Sequence, residues 1–98
     1  MISMKVYRTN NDVLVAACDS NLIGKKFYEG KLKLEISKEF YENIVVGEEA
    51  FLQQLSFATI ANLVGEHVIS KAIEAGVVNK DCVIKIDGIP HAQVAVLE

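Results

Sequence analysis

The chain has 98 residues, 51% of them hydrophobic and 23% charged, with ten basic residues against thirteen acidic ones and a net charge of −3. Surface scaling lets a chain of this size bury roughly 65% of the area its extended form exposes, enough for a single domain over residues 1–98 whose core needs neither metal nor disulfides. These values exclude a disordered tail, a collagen-like repeat and a disulfide-dense scaffold, and the acidic balance argues against strong direct nucleic-acid binding.

Met4–Thr9 is rich in strand formers, and Asn10-Asn11-Asp12 supplies a turn before the apolar run Val13–Cys18. The two runs read as a hairpin whose second strand is buried on both faces. That run is six residues long, too short to cross a bilayer. Met1–Lys5 lacks the apolar core of a signal peptide. The expected location is cytoplasmic, with no membrane partner.

Asp19–Gly24 reads as one helical turn, with Asp19 capping its N–H groups and Gly24 in the left-handed position beyond it. Gly30 marks a turn. Lys31–Ile36 alternates polar and apolar, which predicts a half-buried strand with Leu32, Leu34 and Ile36 on the core face. Ser37 caps a short helix over Lys38–Asn43, with Glu39 near its positive end. From Glu48 to Ala75 there is no Pro, and Gly65 is the one Gly. This stretch predicts two helices, or one bent helix, with a break near Ser56–Thr59. Ile60, Leu63, Val64, Val68, Ala72 and Ile73 form the core face of the second part, which ends at Gly76. Gly65 in mid-helix costs about 1 kcal/mol against Ala, so it marks a close backbone approach. Cys82–Ile86 is a strand, Asp87-Gly88 a hairpin turn, and Ile89–Leu97 the returning strand, with Pro90 at an edge or bulge. The order predicts an α+β, two-layer sandwich, a mostly antiparallel sheet with helices packed on one face.

Chemistry-bearing residues are sparse. Cys18 and Cys82 form no C-x-x-C pair and read as reduced, packed thiols, with a disulfide or redox pair as the alternative. Asp19–Lys26 departs from a phosphate-binding loop, because Asp19 stands where Gly is required and Lys26 where Ser or Thr would hold magnesium. Lys25 and Lys26 are solvated, or rest on a phosphate backbone. Asn62, Glu66, Ser70 and Glu74 have i, i+4 spacing, the pattern of a solvent face and also of an amide stacked on a carboxylate. His91 and Gln93 share one face of the last strand. No Ser-His-Asp or Cys-His arrangement appears, and two imidazoles do not make a metal site. No cofactor is expected.

The segments VAACDSNLIGKKFYEGKLKLEIS (15–37), ATIANLVGE (58–66) and GIPHAQ (88–93) resemble the archaeal domain-of-unknown-function 424 family in order over nearly the whole chain. The resemblance implies a stand-alone cytoplasmic archaeal protein with a two-layer α/β sandwich. It also implies a place among translation-related genes, and so a protein or ribonucleoprotein partner. It implies no activity.

The leading reading is a binding module with a surface formed by Lys25, Asn62, Glu66, His91 and Gln93. The alternative is a small-molecule-binding protein or enzyme with His91 or Glu66 as acid or base. A pocket lined by both groups would favour the enzyme. A flat surface with Lys25 and Lys26 beside an exposed Tyr or Phe would favour the module. The segments ATIANLVGE and PHAQ are expected to meet, with Gly65 against Ala92 and the polar neighbours at the margin. Six Asn and a modest charged fraction point to moderate thermal stability. Calorimetry is expected to give an unfolding midpoint below ~90 °C.

Overall fold

Residues 1–96 are described in this computed structural model; Leu97, the expected end of the last strand, lies outside them. Strand β1 (Ile2–Arg8) turns back through Asn10–Asp12 into β2 (Val13–Asp19), and the two pair antiparallel from Ile2↔Asp19 to Arg8↔Val13. A 3₁₀ turn, Ser20–Leu22, follows. Gly24, at φ +83°, sends its N–H to the Ile36 carbonyl at 2.7 Å. That bond closes the neck of a small hairpin, β3 (Lys26–Glu29) with β4 (Leu32–Glu35). Ser37 caps the single turn α1 (Lys38–Tyr41) by accepting from Phe40 N at 3.2 Å. The remaining elements are β5 (Ile44–Val46), α2 (Glu48–Leu55), β6 (Ile60–Val64), α3 (Glu66–Glu74), a 3₁₀ turn at Lys80–Cys82, β7 (Ile84–Ile86) and β8 (Ile89–Ala95).

Six strands form one sheet in the order β5-β1-β2-β6-β8-β7, with β2–β6 parallel and the other pairs antiparallel. The fold is an α+β sandwich on a mostly antiparallel sheet. Side chains alternate across each strand, so each sheet face carries its own core. Val15, Ala17, Ala61, Leu63 and Ala92 meet Phe51 and Leu55 of α2 and Val68 and Ala72 of α3. On the opposite face Ala16, Cys18, Val64 and Ile86 are covered by Leu22, Leu34 and Ile36 and by Tyr41 of α1.

Several expectations are corrected. Residues 60–64 are a strand, not the first turns of a helix. A run buried on both faces satisfies helical spacing by having apolar residues nearly everywhere, so its period is uninformative. Asn62 therefore leaves the predicted helical row. Strands β3 and β5 were not anticipated, and α1 is shorter than predicted. Leu32 is 50% exposed because it lies at the hairpin tip, while Leu34 is buried and Lys33 exposed, as the register requires. Pro90 lies in an interior strand. Its carbonyl accepts from Gly65 N at 2.9 Å, so its missing N–H falls on the same side, where the chain leaves the sheet. The Gly65 carbonyl there already serves Ile69 N at 3.0 Å, so no ladder bond is lost.

Asp19 does not cap the turn that follows it. Its Oδ2 accepts from His67 N at 3.1 Å and its Oδ1 from Val68 N at 2.9 Å, which caps α3 from a distant strand. Gly65 is the residue before that helix, at φ +112°. A Cβ there would lie 2.5 Å from Asp19 Cγ. The close approach expected at Gly65 is thus to Asp19, and Ala92 pairs instead with Leu63. Gly65→Ala is expected to cost roughly 2–4 kcal/mol, from backbone strain and overlap together. Asp19→Ala is expected to cost about 1–2 kcal/mol, the usual value of a cap. Urea unfolding of the two variants checks both figures.

Candidate functional site

Strands β6 and β8 are neighbours, with Asn62 opposite Gln93 and Val64 opposite His91. Since Leu63 and Ala92 face the α2–α3 core, Asn62, His91 and Gln93 share the other face of the sheet. The segments ATIANLVGE and PHAQ therefore do meet, as paired strands rather than as a helix crossing a strand.

Each member of this row has a defined environment. The Tyr41 hydroxyl donates to Asn62 Oδ1 at 2.7 Å. Burial, with the nearby Cys18 and Tyr7 adding to it, pushes the Tyr41 phenol up to about 12, so it remains a donor at neutral pH. His91 Nδ1 lies 3.2 Å from the Leu63 carbonyl. That contact places the ring proton on Nδ1 and leaves Nε2 as an acceptor. Burial lowers the His91 imidazole from its ordinary value, against the smaller opposing effect of the Leu63 carbonyl. Gln93 is exposed. Beside the row, Tyr7 stacks on Phe40 at 5.4 Å and Phe40 meets Tyr41 edge-on at 4.9 Å. The row is thus neutral, and it offers amide and imidazole donors and acceptors next to aromatic rings.

The other two candidate residues make no bond to this row among the described residues. Glu66 opens α3 and is exposed, with no hydrogen bond or ion pair to Asn62, His91 or Gln93 among the described residues. Lys25 lies in the hairpin neck, where its N–H donates to the Leu22 carbonyl at 3.0 Å and its carbonyl accepts from Ile36 N at 3.0 Å, and it is exposed.

The surface expected of a module, Lys26 beside an exposed aromatic ring, is present on the hairpin, although its strand β3 was not expected. Phe27 and Leu34 turn inward from the hairpin, so Lys26, Tyr28, Lys33 and Glu35 form its outer face, with Tyr28 opposite Lys33 and Lys26 opposite Glu35. Tyr28 is 58% exposed. Lys26 Nζ and Lys33 Nζ approach Glu35 Oε2 at 3.6 and 3.4 Å. The Lys33 hydrogen bond first, and then Lys26, hold the Glu35 carboxyl below its usual range. The signal was present in Lys26-Phe27-Tyr28-Glu29, whose alternation passes unnoticed in only four residues.

Both cysteines are free. Cys18 is packed as expected, and burial, with Asp19 and Glu42 adding to it, pushes its thiol up to about 12, far from a reactive thiolate. Cys82 is exposed, contrary to expectation, because it ends a surface 3₁₀ turn. Buried Ser3 donates to Glu42 Oε2 at 3.0 Å and pairs with the Ser20 hydroxyl at 2.9 Å. A cleft of ≈ 460 Å³ between α2 and α3 is lined by Glu48, Glu49, Leu52, Lys71, Glu74 and Ala75. A second, of ≈ 420 Å³, lies at Leu55, Ser56, Gly76, Val77 and Asn79. Neither includes His91 or Glu66. Among the described residues no group of three His, Cys, Asp or Glu side chains is placed to hold a metal, and no helix is long and apolar enough to cross a membrane.

The family model described as "Protein of unknown function (DUF424)" matches residues 7–97. The chain belongs to this family. The match spans all three segments quoted above and both strands of the polar row. Among solved structures, an uncharacterized conserved protein from Methanopyrus kandleri is similar to the chain, with 26% identity and a TM-score of 0.75 over 98% of this chain and 91% of that one. No curated protein matches.

The His91 environment has a pH consequence. Its folded value lies below the ordinary 6.5, so the unfolded chain takes up the proton first on acidification. The stabilisation from neutral His91 is complete above the unfolded value and is lost as pH falls through the folded one. NMR titration is expected to place the His91 midpoint below 6.5. Unfolding free energy of His91→Gln is expected to fall less on acidification through that window than that of the unsubstituted protein.

Proposed function

We propose that the protein is a small binding module serving ribonucleoprotein machinery, that of translation in particular. The observation that carries this reading is the neutral row of half-buried Asn62 and His91 and exposed Gln93 on the sheet face, outside both clefts. Such a row matches donors and acceptors on a partner surface. An acid–base enzyme would instead place His91 or Glu66 in a water-excluding cavity. The exposed Tyr28 beside Lys26 is the second feature that favours docking over turnover. The same choice of partner follows from the place among translation-related genes that the family resemblance implies.

Affinity purification from native cells, with and without ribonuclease, tests the reading. Ribosomal RNA and proteins, or translation factors, are expected with the unsubstituted protein. His91→Ala combined with Gln93→Ala is expected to reduce their recovery at least about tenfold, the cost of one or two interfacial polar contacts. Its thermal midpoint is expected to stay near that of the parent. Unchanged recovery would remove the row from the binding surface.

A further inference from the structure

The hairpin β3–β4 carries more positive charge than the acidic chain suggests. Residues 25–35 hold four Lys and two Glu, whereas the rest of the chain holds six basic residues and eleven acidic ones. The charge is also uneven in space. The hairpin covers one face of the sheet together with α1, whose Glu39 and Glu42 add some negative charge there, while α2 and α3, with Glu48, Glu49, Glu66 and Glu74 against Lys71, cover the other. A polyanion approaching this molecule is turned toward the hairpin and repelled by the helices.

The outer face of the hairpin then offers two kinds of contact. Tyr28 presents an aromatic ring to solvent, 58% exposed. Lys33 is directly across from it and Lys26 is two residues before it on the same strand. The lysines are diagonal neighbours, which sets their stems roughly 7–8 Å apart. Their ammonium groups converge on Glu35 at 3.6 and 3.4 Å. Exposed pairs of this kind contribute little, so a phosphate readily displaces the carboxylate. Lys25 and Lys31 extend the positive field at either end and make no ion pair among the described residues.

The platform is fixed rather than floppy. Glu29 Oε1 accepts from Asp87 N at 2.8 Å, which fastens the hairpin to the β7–β8 turn. Gly24 N to the Ile36 carbonyl, at 2.7 Å, fastens its neck. Phe27 and Leu34 anchor its inner side in the second core. A preordered aromatic with flanking cations is the arrangement that stacks an unpaired base and grips the phosphates on either side.

We propose that this outer face binds single-stranded nucleic acid, with one unstacked base on Tyr28 and the neighbouring phosphates on Lys26 and Lys33. The inference rests on the binding-module reading and names its ligand. Neutral stacking chemistry does not discriminate between sequences, and the small positive excess keeps the affinity modest.

Fluorescence anisotropy with a short labelled oligouridylate, an oligothymidylate and an RNA duplex tests it. Binding of the single strands is expected at low salt in the range of roughly 10⁻⁴ to 10⁻⁶ M, weakening as salt rises. The duplex is expected to bind more weakly, since it presents no unstacked base. Tyr28→Ala is expected to weaken binding about tenfold and Tyr28→Phe to retain it. Lys26→Glu with Lys33→Glu is expected to abolish binding, and Glu35→Gln to tighten it. A preference for the oligouridylate identifies RNA as the source of the strand, and equal binding identifies base and phosphate alone; both outcomes support the site. Absence of binding at low salt, a preference for duplex, or affinity unchanged in the Tyr28→Ala and lysine variants would overturn it. Partner recovery from cells that survives ribonuclease yet is lost in the hairpin variants would also overturn it, while leaving the binding-module reading intact.

Discussion

The carboxylate of Asp19 joins the two layers of this fold at the place where they meet. Asp19 ends β2, and because β2 and β6 run parallel their ends lie side by side. There the chain leaves β6 through Gly65 and enters α3. The residue preceding α3 has no side chain with which to satisfy the first helical N–H groups, so the acceptor comes from the neighbouring strand, 48 and 49 residues earlier. A carboxylate in that position also faces the positive end of the helix dipole. Gly65 is required twice over, for its left-handed backbone and for the space Asp19 occupies. The same junction positions β6, and so the strand bearing Asn62.

Around that junction the sheet keeps two independent faces. Ala16, Ala17, Ala61 and Ala92 are fully or almost fully buried, and their small size lets layers approach from both sides. One face receives two amphipathic helices, which turn their acidic residues outward. The other receives the hairpin and one turn of α1, and from there the hairpin turns its lysines and Tyr28 outward. The division of charge on the surface therefore follows from the division of the core, and each is a product of strand alternation.

Much of this was legible. The β1–β2 hairpin, the Lys31–Ile36 strand and the Asp87-Gly88 turn each carry a local signal and each forms, but the second is shortened to Leu32–Glu35 and lies in a separate hairpin, not in the main sheet where it was expected. The start of α3 was not legible. Ile60-Ala61-Asn62-Leu63-Val64 is apolar everywhere but Asn62, too short and too apolar to show a distinct period, and it runs into a true helical pattern without a Pro or a local cap. The cap exists but belongs to Asp19, and no window of neighbouring residues contains it. For the same reason the meeting of Asn62 with His91 and Gln93 was expected in the wrong geometry, as a helix crossing a strand, because strand pairing is a long-range property. Glu66 entered the same group through a helical row assumed to include Asn62; that row does not exist, and Glu66 instead follows Gly65, whose N–H meets the Pro90 carbonyl beside His91. Lysines beside an exposed aromatic were expected near Lys25 and Lys26, but strand β3 was not, because a four-residue strand holds two side chains on a face.

The parallel β2–β6 ladder carries a kinetic consequence. Its partners are about 46 positions apart, as the Val13–Thr59 bonds at its end show. Closing so long a loop is entropically unfavourable, and it precedes any gain from the central ladder. During synthesis, the β1–β2 hairpin therefore emerges with one flank of β2 unpaired until β6 has left the ribosome. Ala16, Ala17 and Cys18 spend that interval without the strand that later covers their edge. Folding of this chain is governed by non-local pairing, and the first forty residues beyond β2 act as the tether whose length sets its pace.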